Sequence, residues 1–180
     1  LEFRRVLFRS YNNQLELFCG SESGDIYQYT NIAGTMNSPA ELFAEIGTGN
    51  TISTDAQTTP FGSEFKNGKN QFLIKASELQ AAGFQYGNFD TLSFNIASAA
   101  SGTLRSFKIN IANAGDTTLS GFQDLNFTTA FFNDITIGAN GWKNFYLDPK
   151  FTWDGVSDVI IQTCFDTTMS ATASSSVVCS

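Results

Sequence analysis

The strongest constraint on the fold is a period of two in the distribution of apolar residues. Leu92, Phe94 and Ile96 alternate with polar residues, and the segment 107–111 repeats the pattern. Successive side chains of a β-strand point to opposite faces, so each run predicts a half-buried strand. Further strands are predicted at 15–19, 26–30, 71–75, 142–147 and 156–165. The last of these is apolar on both faces, which predicts a central strand.

Turn signals separate these runs. Asn67-Gly68 and Asn140-Gly141 suit a two-residue type I′ turn, in which both central residues have positive φ, and each predicts a β-hairpin. The segments 48–59 and 167–176 are rich in Ser and Thr and lack apolar periodicity. They predict loops or frayed edges.

One short helix is predicted at Ser77–Ala82. Ser77 can cap the free amides, Glu78 suits the positive end of the helix, and Gly83 can take the left-handed closing conformation. Many short strands with one helical turn predict an all-β fold, an antiparallel β-sandwich. The pattern does not separate a jelly-roll-like topology from an immunoglobulin-like one.

The absence of histidine removes most familiar hydrolase mechanisms, because they need an imidazole as general base. The three cysteines, Cys19, Cys164 and Cys179, lie far apart and lack the paired spacing of a zinc site or a disulfide framework. We therefore predict no catalytic residue, no cofactor and no metal site, and a chain that is not an enzyme.

The charge balance bears on partners. Lys and Arg total 10 against 17 Asp and Glu, a net charge of −7 without a basic run. Such a chain is a poor partner for nucleic acid. No stretch approaches the roughly 18 to 20 apolar residues that span a bilayer, so no membrane insertion is predicted. An acidic, Ser/Thr/Asn-rich chain favours a secreted or surface-exposed location, which is extracellular or at the cell surface.

The two ends of the chain resemble foreign sequence. Leu7-Phe8-Arg9-Ser10 is what the codons CTC TTC CGA TCT encode, which resemble the end of a common sequencing-library adaptor. Residues 1–10 are therefore interpreted as translated adaptor and set aside in the fold prediction. Val178-Cys179-Ser180 is a shorter match in another frame, with a native terminus as the alternative.

Several short motifs lie in order between residue 46 and about residue 166. They are Ile46-Gly47-Thr48-Gly49, Ala76-Ser77-Glu78-Leu79 with Ala82-Gly83, Gly141-Trp142, Phe151-Thr152-Trp153-Asp154-Gly155 and the segment 160–165. In order and spacing they resemble a β-sandwich module of bacterial proteins exported by the type IX secretion route. Members usually continue with at least one more strand. The resemblance therefore implies a sandwich that is truncated at its C-terminal end.

Residues 16–32 resemble one blade segment of a propeller repeat of the FG-GAP or VCBS type. That family binds calcium through an Asp-rich loop, for which Glu16 and Asn12 would be two of the ligands. The earlier ligand positions fall in the adaptor-like segment, so the resemblance implies calcium only for a full-length parent. The predicted organisation is an artefact at 1–10, a partial repeat at 11–45 and the sandwich module at 46–180.

Trp142, Tyr146 and Trp153 are the candidate ligand platform, because flat aromatic faces stack on the apolar faces of sugars. Packing within strand and turn motifs is the alternative reading for the two tryptophans. The carboxylate pair Asp154 and Asp158 suggests a glycosidase active site, in which two acids flank the scissile bond. Nothing in the sequence places the pair in a cleft, and Asp154-Gly155 is better explained as a turn.

Three threonines, Thr91, Thr117 and Thr167, each follow an aspartate. These triplets resemble an O-glycosylation acceptor pattern of the same bacterial group. The sequence thus predicts a non-catalytic module of a secreted or cell-surface bacterial protein. It would bind a ligand such as polysaccharide or act as a spacer between other domains of the parent chain. The alternative is an accessory domain of a secreted hydrolase whose catalytic domain lies outside this chain.

Overall fold

β-Strands supply nearly all the regular structure in the described part of the chain. The computed structural model describes residues 6–11, 16–20, 26–30, 41–47, 49–52, 58–115, 118–167, 171 and 173–179. For the strands before Glu45 it describes the backbone alone.

The strands follow one another as β1 (Val6–Tyr11), β2 (Glu16–Gly20), β3 (Ile26–Thr30), β4 (Glu41–Ile46), β5 (Thr51–Ile52), β6 (Asn67–Ile74), β7 (Gly87–Ser98), β8 (Thr103–Ala114), β9 (Thr128–Thr136), β10 (Gly141–Trp153), β11 (Asp158–Asp166) and β12 (Ser176–Cys179). Helix α1 (Ala76–Ala81) lies between β6 and β7.

Two main sheets form, and every strand pairing in them is antiparallel. In sheet I, β10 pairs with one edge of β7. The other edge of β7 pairs first with β1 and then with β12, and β4 and β5 continue the sheet beyond β1 and β12 respectively. Sheet II has the order β6-β11-β8-β9, and β2 pairs with β3 alone. The predicted all-β antiparallel sandwich is confirmed. The central position predicted for the strand at 156–165 is also confirmed, because β11 lies between β6 and β8.

The core lies between the two sheets. Phe94 and Phe145 of sheet I and Phe107 of sheet II are buried in one cluster. Phe61, which precedes β6 and belongs to no strand, is fully buried between them. Its ring centroid lies 5.5 Å from that of Phe94 and 5.7 Å from that of Phe107, so this loop residue joins the two layers.

Both predicted hairpins are wrong. Asn67-Gly68 begins β6, where Gly68 pairs with Phe165 of β11. A Cβ at Gly68 would lie 2.6 Å from Phe165 Cε1, so the glycine lets the Phe165 ring approach the backbone, and a larger residue would require that ring to shift. Gly141 has the positive φ that a turn requires, at 97°. However, Asn140-Gly141 joins β9 of sheet II to β10 of sheet I, so the connection crosses the sandwich.

The helix is confirmed, but its N-terminus is not capped by Ser77. The helix begins at Ala76, whose N–H donates to Asp158 Oδ1 at 2.9 Å. The Lys75 N–H donates to Glu78 Oε2 at 2.9 Å. These two carboxylates satisfy amides that Ser77 was predicted to satisfy, while Gly83 closes the helix with φ of 92°, as predicted.

The Ser/Thr-rich segments are held in place where the structure describes them. Thr59 Oγ1 donates to the Ser175 carbonyl at 2.7 Å, and Ser63 Oγ donates to the Ala173 carbonyl at 2.7 Å. The Ala171 N–H donates to the Ser63 carbonyl at 2.7 Å. Of the two alternatives, loop or frayed edge, the described residues 58–59, 167, 171 and 173–175 agree with loops, which side-chain hydroxyls hold in place. The first segment also contains the short strand β5, which was not predicted.

Strand β1 overlaps the adaptor-like segment. Its backbone pairs with β4 on one side and with β7 on the other. Residues 6–10, which were set aside in the fold prediction, therefore form part of sheet I. The divisions at residues 10 and 45, the truncation and the jelly-roll-like topology stay predictions.

Candidate functional site

Two exposed aromatic side chains lie on the outward face of β10. Trp142 is 41% exposed and Tyr146 is 68% exposed. The strand alternates, so Phe145 and Leu147 are buried in the core while Trp142, Asn144 and Tyr146 face outward. We call the outward set, Trp142, Asn144 and Tyr146, the β10 strip.

The register with β7 sets the surroundings of the β10 strip. Asn144 lies opposite Ser93, whose hydroxyl donates to Asn144 Oδ1 at 2.7 Å. This hydrogen bond orients the exposed amide of Asn144 between the two aromatic rings. Trp142 and Tyr146 are four residues apart on one strand, which corresponds to about 13 Å along the sheet. The result is a polar group flanked by two flat apolar faces.

Trp153 is not part of this surface, and its predicted role in the platform is wrong. Its side chain is fully buried and stacks on Phe89 with 6.1 Å between ring centroids. The indole Nε1 donates to the Ser157 carbonyl at 2.7 Å. A buried tryptophan with its only donor engaged packs the core and offers no face to a ligand.

Of the three threonines predicted as glycosylation sites, the structure describes two, and both are buried. Thr91 is buried, and its hydroxyl donates to Asp90 Oδ1 at 3.1 Å. Thr167 is also buried. Burial argues against modification of either hydroxyl in the folded chain. Thr117 lies outside the described residues.

The Asp154 and Asp158 carboxylates are engaged in local structure. Asp158 is buried, and its Oδ2 lies 2.9 Å from Lys75 Nζ. Asp154 is exposed and accepts the N–H groups of Val156 and Ser157 at 3.0 and 2.7 Å, as the predicted turn requires. Partial burial raises the pKa of Asp154, but hydrogen bonds from Ser157 and Val156 outweigh it, so the net pKa lies below the ordinary value of 3.8.

Other functional groups are sparse in the described ranges. Those residues include no cluster of three or more cysteine, aspartate or glutamate side chains that would hold a metal ion. Cys164 Sγ accepts from Asn110 Nδ2 at 3.8 Å, and Cys179 Sγ donates to the Thr51 carbonyl at 3.1 Å. Within the same ranges, no helix combines the length and apolar character needed to cross a membrane.

Sequence reasoning missed Asn144 and Ser93 as part of the site. Ser93 was visible as a polar position in the alternating run of β7. Its pairing with Asn144 depends on β10 lying beside β7, although β8 and β9 intervene in the chain. The period-two pattern carries no information about which strands become neighbours.

The fold and the β10 strip together define an all-β antiparallel sandwich with an outward-facing aromatic and polar strip. No protein-family model, curated protein or solved structure matches the chain. The resemblances to a type IX-exported module and to a propeller repeat therefore stay predictions.

Proposed function

We propose that this chain is a non-catalytic binding module of a secreted or cell-surface protein, and that the β10 strip binds carbohydrate. One observation carries the proposal. Trp142 and Tyr146 are exposed on the same face of one strand, with the oriented amide of Asn144 between them.

This combination suits a sugar chain for chemical reasons. Aromatic rings offer large apolar contact area and have few rotatable bonds to immobilise, so stacking costs little conformational entropy. The amide supplies hydrogen bonds to hydroxyl groups, which fix orientation. The separation of about 13 Å between the two ring positions is longer than one sugar ring. The β10 strip therefore fits an oligosaccharide rather than a monosaccharide.

A binding role is preferred to a catalytic one because the candidate acids are already engaged. Asp158 pairs with Lys75 and caps α1, and Asp154 closes a turn. A general acid or base must reach the proton it transfers. Asp154 follows the end of β10, eight residues beyond Tyr146, and Asp158 begins β11 of sheet II, so neither carboxylate lies beside the two aromatic rings of the β10 strip. An accessory domain of a hydrolase would use the same surface to hold the substrate of its neighbour.

Affinity electrophoresis in gels that contain single polysaccharides tests the proposal. We expect at least one polysaccharide to retard the chain, and Tyr146→Ala to weaken binding about tenfold, equivalent to ~1.4 kcal/mol. Tyr86→Ala is the matched control, because Tyr86 is 60% exposed but lies outside the β10 strip. No retardation by any polysaccharide would leave only the spacer role, and equal effects of the two variants would contradict the assignment of the β10 strip.

A further inference from the structure

The outward face of sheet II carries an ordered row of polar side chains. Gln71, Gln162, Asn110 and Thr129 lie side by side on β6, β11, β8 and β9. Gln71 Nε2 donates to Gln162 Oε1 at 2.8 Å, and Thr129 Oγ1 donates to Asn110 Oδ1 at 2.8 Å. We call these four residues the amide row. Their mutual hydrogen bonds fix the orientation of the amides before any ligand arrives.

The next row across the same strands is basic and aromatic. It consists of Lys69, Cys164, Lys108 and Phe132, in that order. Lys69 and Lys108 are each one strand away from Cys164, so their backbones are about 10 Å apart. Lys108 Nζ lies 5.1 Å from the centroid of the Phe132 ring. We call these four residues the lysine row.

The loop between β8 and β9 lies beside the two rows and adds a second exposed aromatic side chain, Phe122. Phe122, which is 63% exposed, holds Lys69 Nζ 5.0 Å from its ring centroid. The loop is anchored to the amide row, because the Gln123 N–H donates to Gln71 Oε1 at 2.7 Å and Gln71 Nε2 donates to the Gln123 carbonyl at 2.8 Å. Beyond the amide row, Leu119 of the loop helps to cover apolar positions of sheet II.

A shallow cavity of about 290 Å³ opens where this loop meets β6, and its lining includes Gln71, Leu119 and Phe122. A second cavity of about 220 Å³ includes Phe65 and Lys69 in its lining. Both cavities border Asn70, so hollows follow the β6 edge of the sheet. Their volumes lie at or below the lower end of the roughly 300 to 1,000 Å³ of small-molecule pockets, and both border an open sheet surface, so a ligand could lie along the surface.

We propose that the amide row and the lysine row form a second binding surface, which takes an anionic polysaccharide whose sugar rings carry carboxylates. The two ammonium groups of Lys69 and Lys108 would pair with carboxylates on one chain. Phe122 and Phe132 would contact sugar rings at either side. Gln162 and the exposed Thr129 of the amide row would bond hydroxyl groups, while Gln71 and the buried Asn110 hold them in place. This surface lies on the sheet opposite to the β10 strip, so the proposal does not depend on carbohydrate binding there.

The charge pattern is the reason for an anionic ligand. The chain as a whole has a net charge of −7, yet neither row contains a carboxylate. The nearest acids of the same region are Asp166 on β11 and Asp134 on β9, each two residues beyond the lysine row, and Asp124 in the loop; Asp134 is paired with Arg105 at 2.9 Å. Contact with the phenylalanine rings holds each ammonium group in a defined position, which lowers the entropic cost of pairing it with a ligand.

The test uses affinity electrophoresis of the full chain against polygalacturonate, a neutral β-glucan and polyglutamate. We expect polygalacturonate to retard the chain, and binding to weaken as NaCl rises from about 50 to about 500 mM, because exposed charge pairs are screened. Lys69→Gln and Lys108→Gln should each weaken binding about fivefold. Lys69→Arg and Lys108→Arg should keep most of the wild-type affinity for polygalacturonate, because arginine keeps the positive charge.

Lys150→Gln is the matched control, since it removes one positive charge from a half-exposed outward position of β10 in sheet I. It should bind polygalacturonate as the wild type does. An equal loss in this variant would show that net charge alone governs binding and would overturn the proposal. The proposal would also be overturned if polygalacturonate did not retard the chain, or if the neutral glucan or polyglutamate retarded it equally. Tyr146→Ala should leave polygalacturonate binding unchanged, which separates this proposal from that for the β10 strip.

Discussion

Replacing Phe61 by alanine should destabilise the fold strongly although the residue lies outside every strand. The ring is fully buried and contacts three other rings. Its centroid lies 5.5 Å from Phe94, 5.7 Å from Phe107 and 6.1 Å from Phe145. Phe61 thus links both sheets, and its removal would leave a hole at their junction.

The expected loss in the free energy of unfolding is about 4 kcal/mol. Exposing a phenylalanine side chain forfeits about 2 to 3 kcal/mol of transfer free energy. The cavity adds about 24 cal/mol for each Å³ that the neighbours fail to fill, which gives ~2 kcal/mol for ~100 Å³ and less if they relax. The total falls within the roughly 3 to 5 kcal/mol typical of buried Phe→Ala changes.

Urea unfolding followed by tryptophan fluorescence measures the effect, because Trp153 is buried in the same core. Phe65→Ala is the matched control, since Phe65 lies in the same loop but is 40% exposed. We expect the control to lose about 1 kcal/mol or less. If Phe61→Ala cost no more than Phe65→Ala at an unchanged denaturant slope, Phe61 would not join the two layers.

Two further predictions concern a glycine and a carboxylate. Gly68→Ala should lower the free energy of unfolding by about 1 to 3 kcal/mol, because the new methyl group would meet the Phe165 ring at 2.6 Å. Gly138→Ala, where nothing lies within 4 Å, should change it by about 0.5 kcal/mol or less, and equal losses in urea unfolding would refute this account. The lowered pKa of Asp154 means that its carboxylate stabilises the fold above its ordinary pKa of 3.8 and stops doing so as pH falls through the folded-state pKa. Asp154→Asn should therefore be less stable than the wild type near about pH 6 but about equally stable near about pH 2, and a pH-independent difference would contradict this.

The strands could be predicted because alternation records which side chains meet the core. The strand at 156–165 was apolar on both faces, and the structure gives the reason. Val159 and Ile161 face the core between the sheets, whereas Ile160 faces outward beneath the loop that contains Leu119. An outward position becomes apolar when a loop covers it. The apolar pattern therefore predicted the central placement of β11, although it did not predict the loop.

The candidate platform could be predicted only in part, because it depended on where β10 ends. Sequence reasoning stopped that strand at Leu147, whereas the structure continues it to Trp153. Trp142 and Trp153 are an odd number of residues apart, and such residues point to opposite faces of one continuous strand. The strand pairing is irregular between Tyr146 and Phe151, yet the inward parity is the same on both sides of the irregularity.

The hairpins failed because a turn signal specifies local φ and not the partner of a strand. Gly141 has the predicted positive φ, but the chain leaves β9 in sheet II and enters β10 in sheet I. Strand pairing with distant segments decides the outcome, because Gly141 lies opposite Ile96 of β7 and Gly68 lies opposite Phe165 of β11. Sequence spacing alone does not encode such contacts.

Both proposed binding surfaces consist of side chains that point outward from the sheets. In a two-layer sandwich the inward side chains pack in the core, as the Phe94 and Phe107 rings do here. Only outward positions can meet a ligand, and the register of the strands decides which of them become neighbours. Asn144 meets Ser93, and Lys69 and Lys108 flank Cys164, through pairings between strands that are distant in the chain. Variants at outward positions therefore test function, whereas variants at inward positions test the fold.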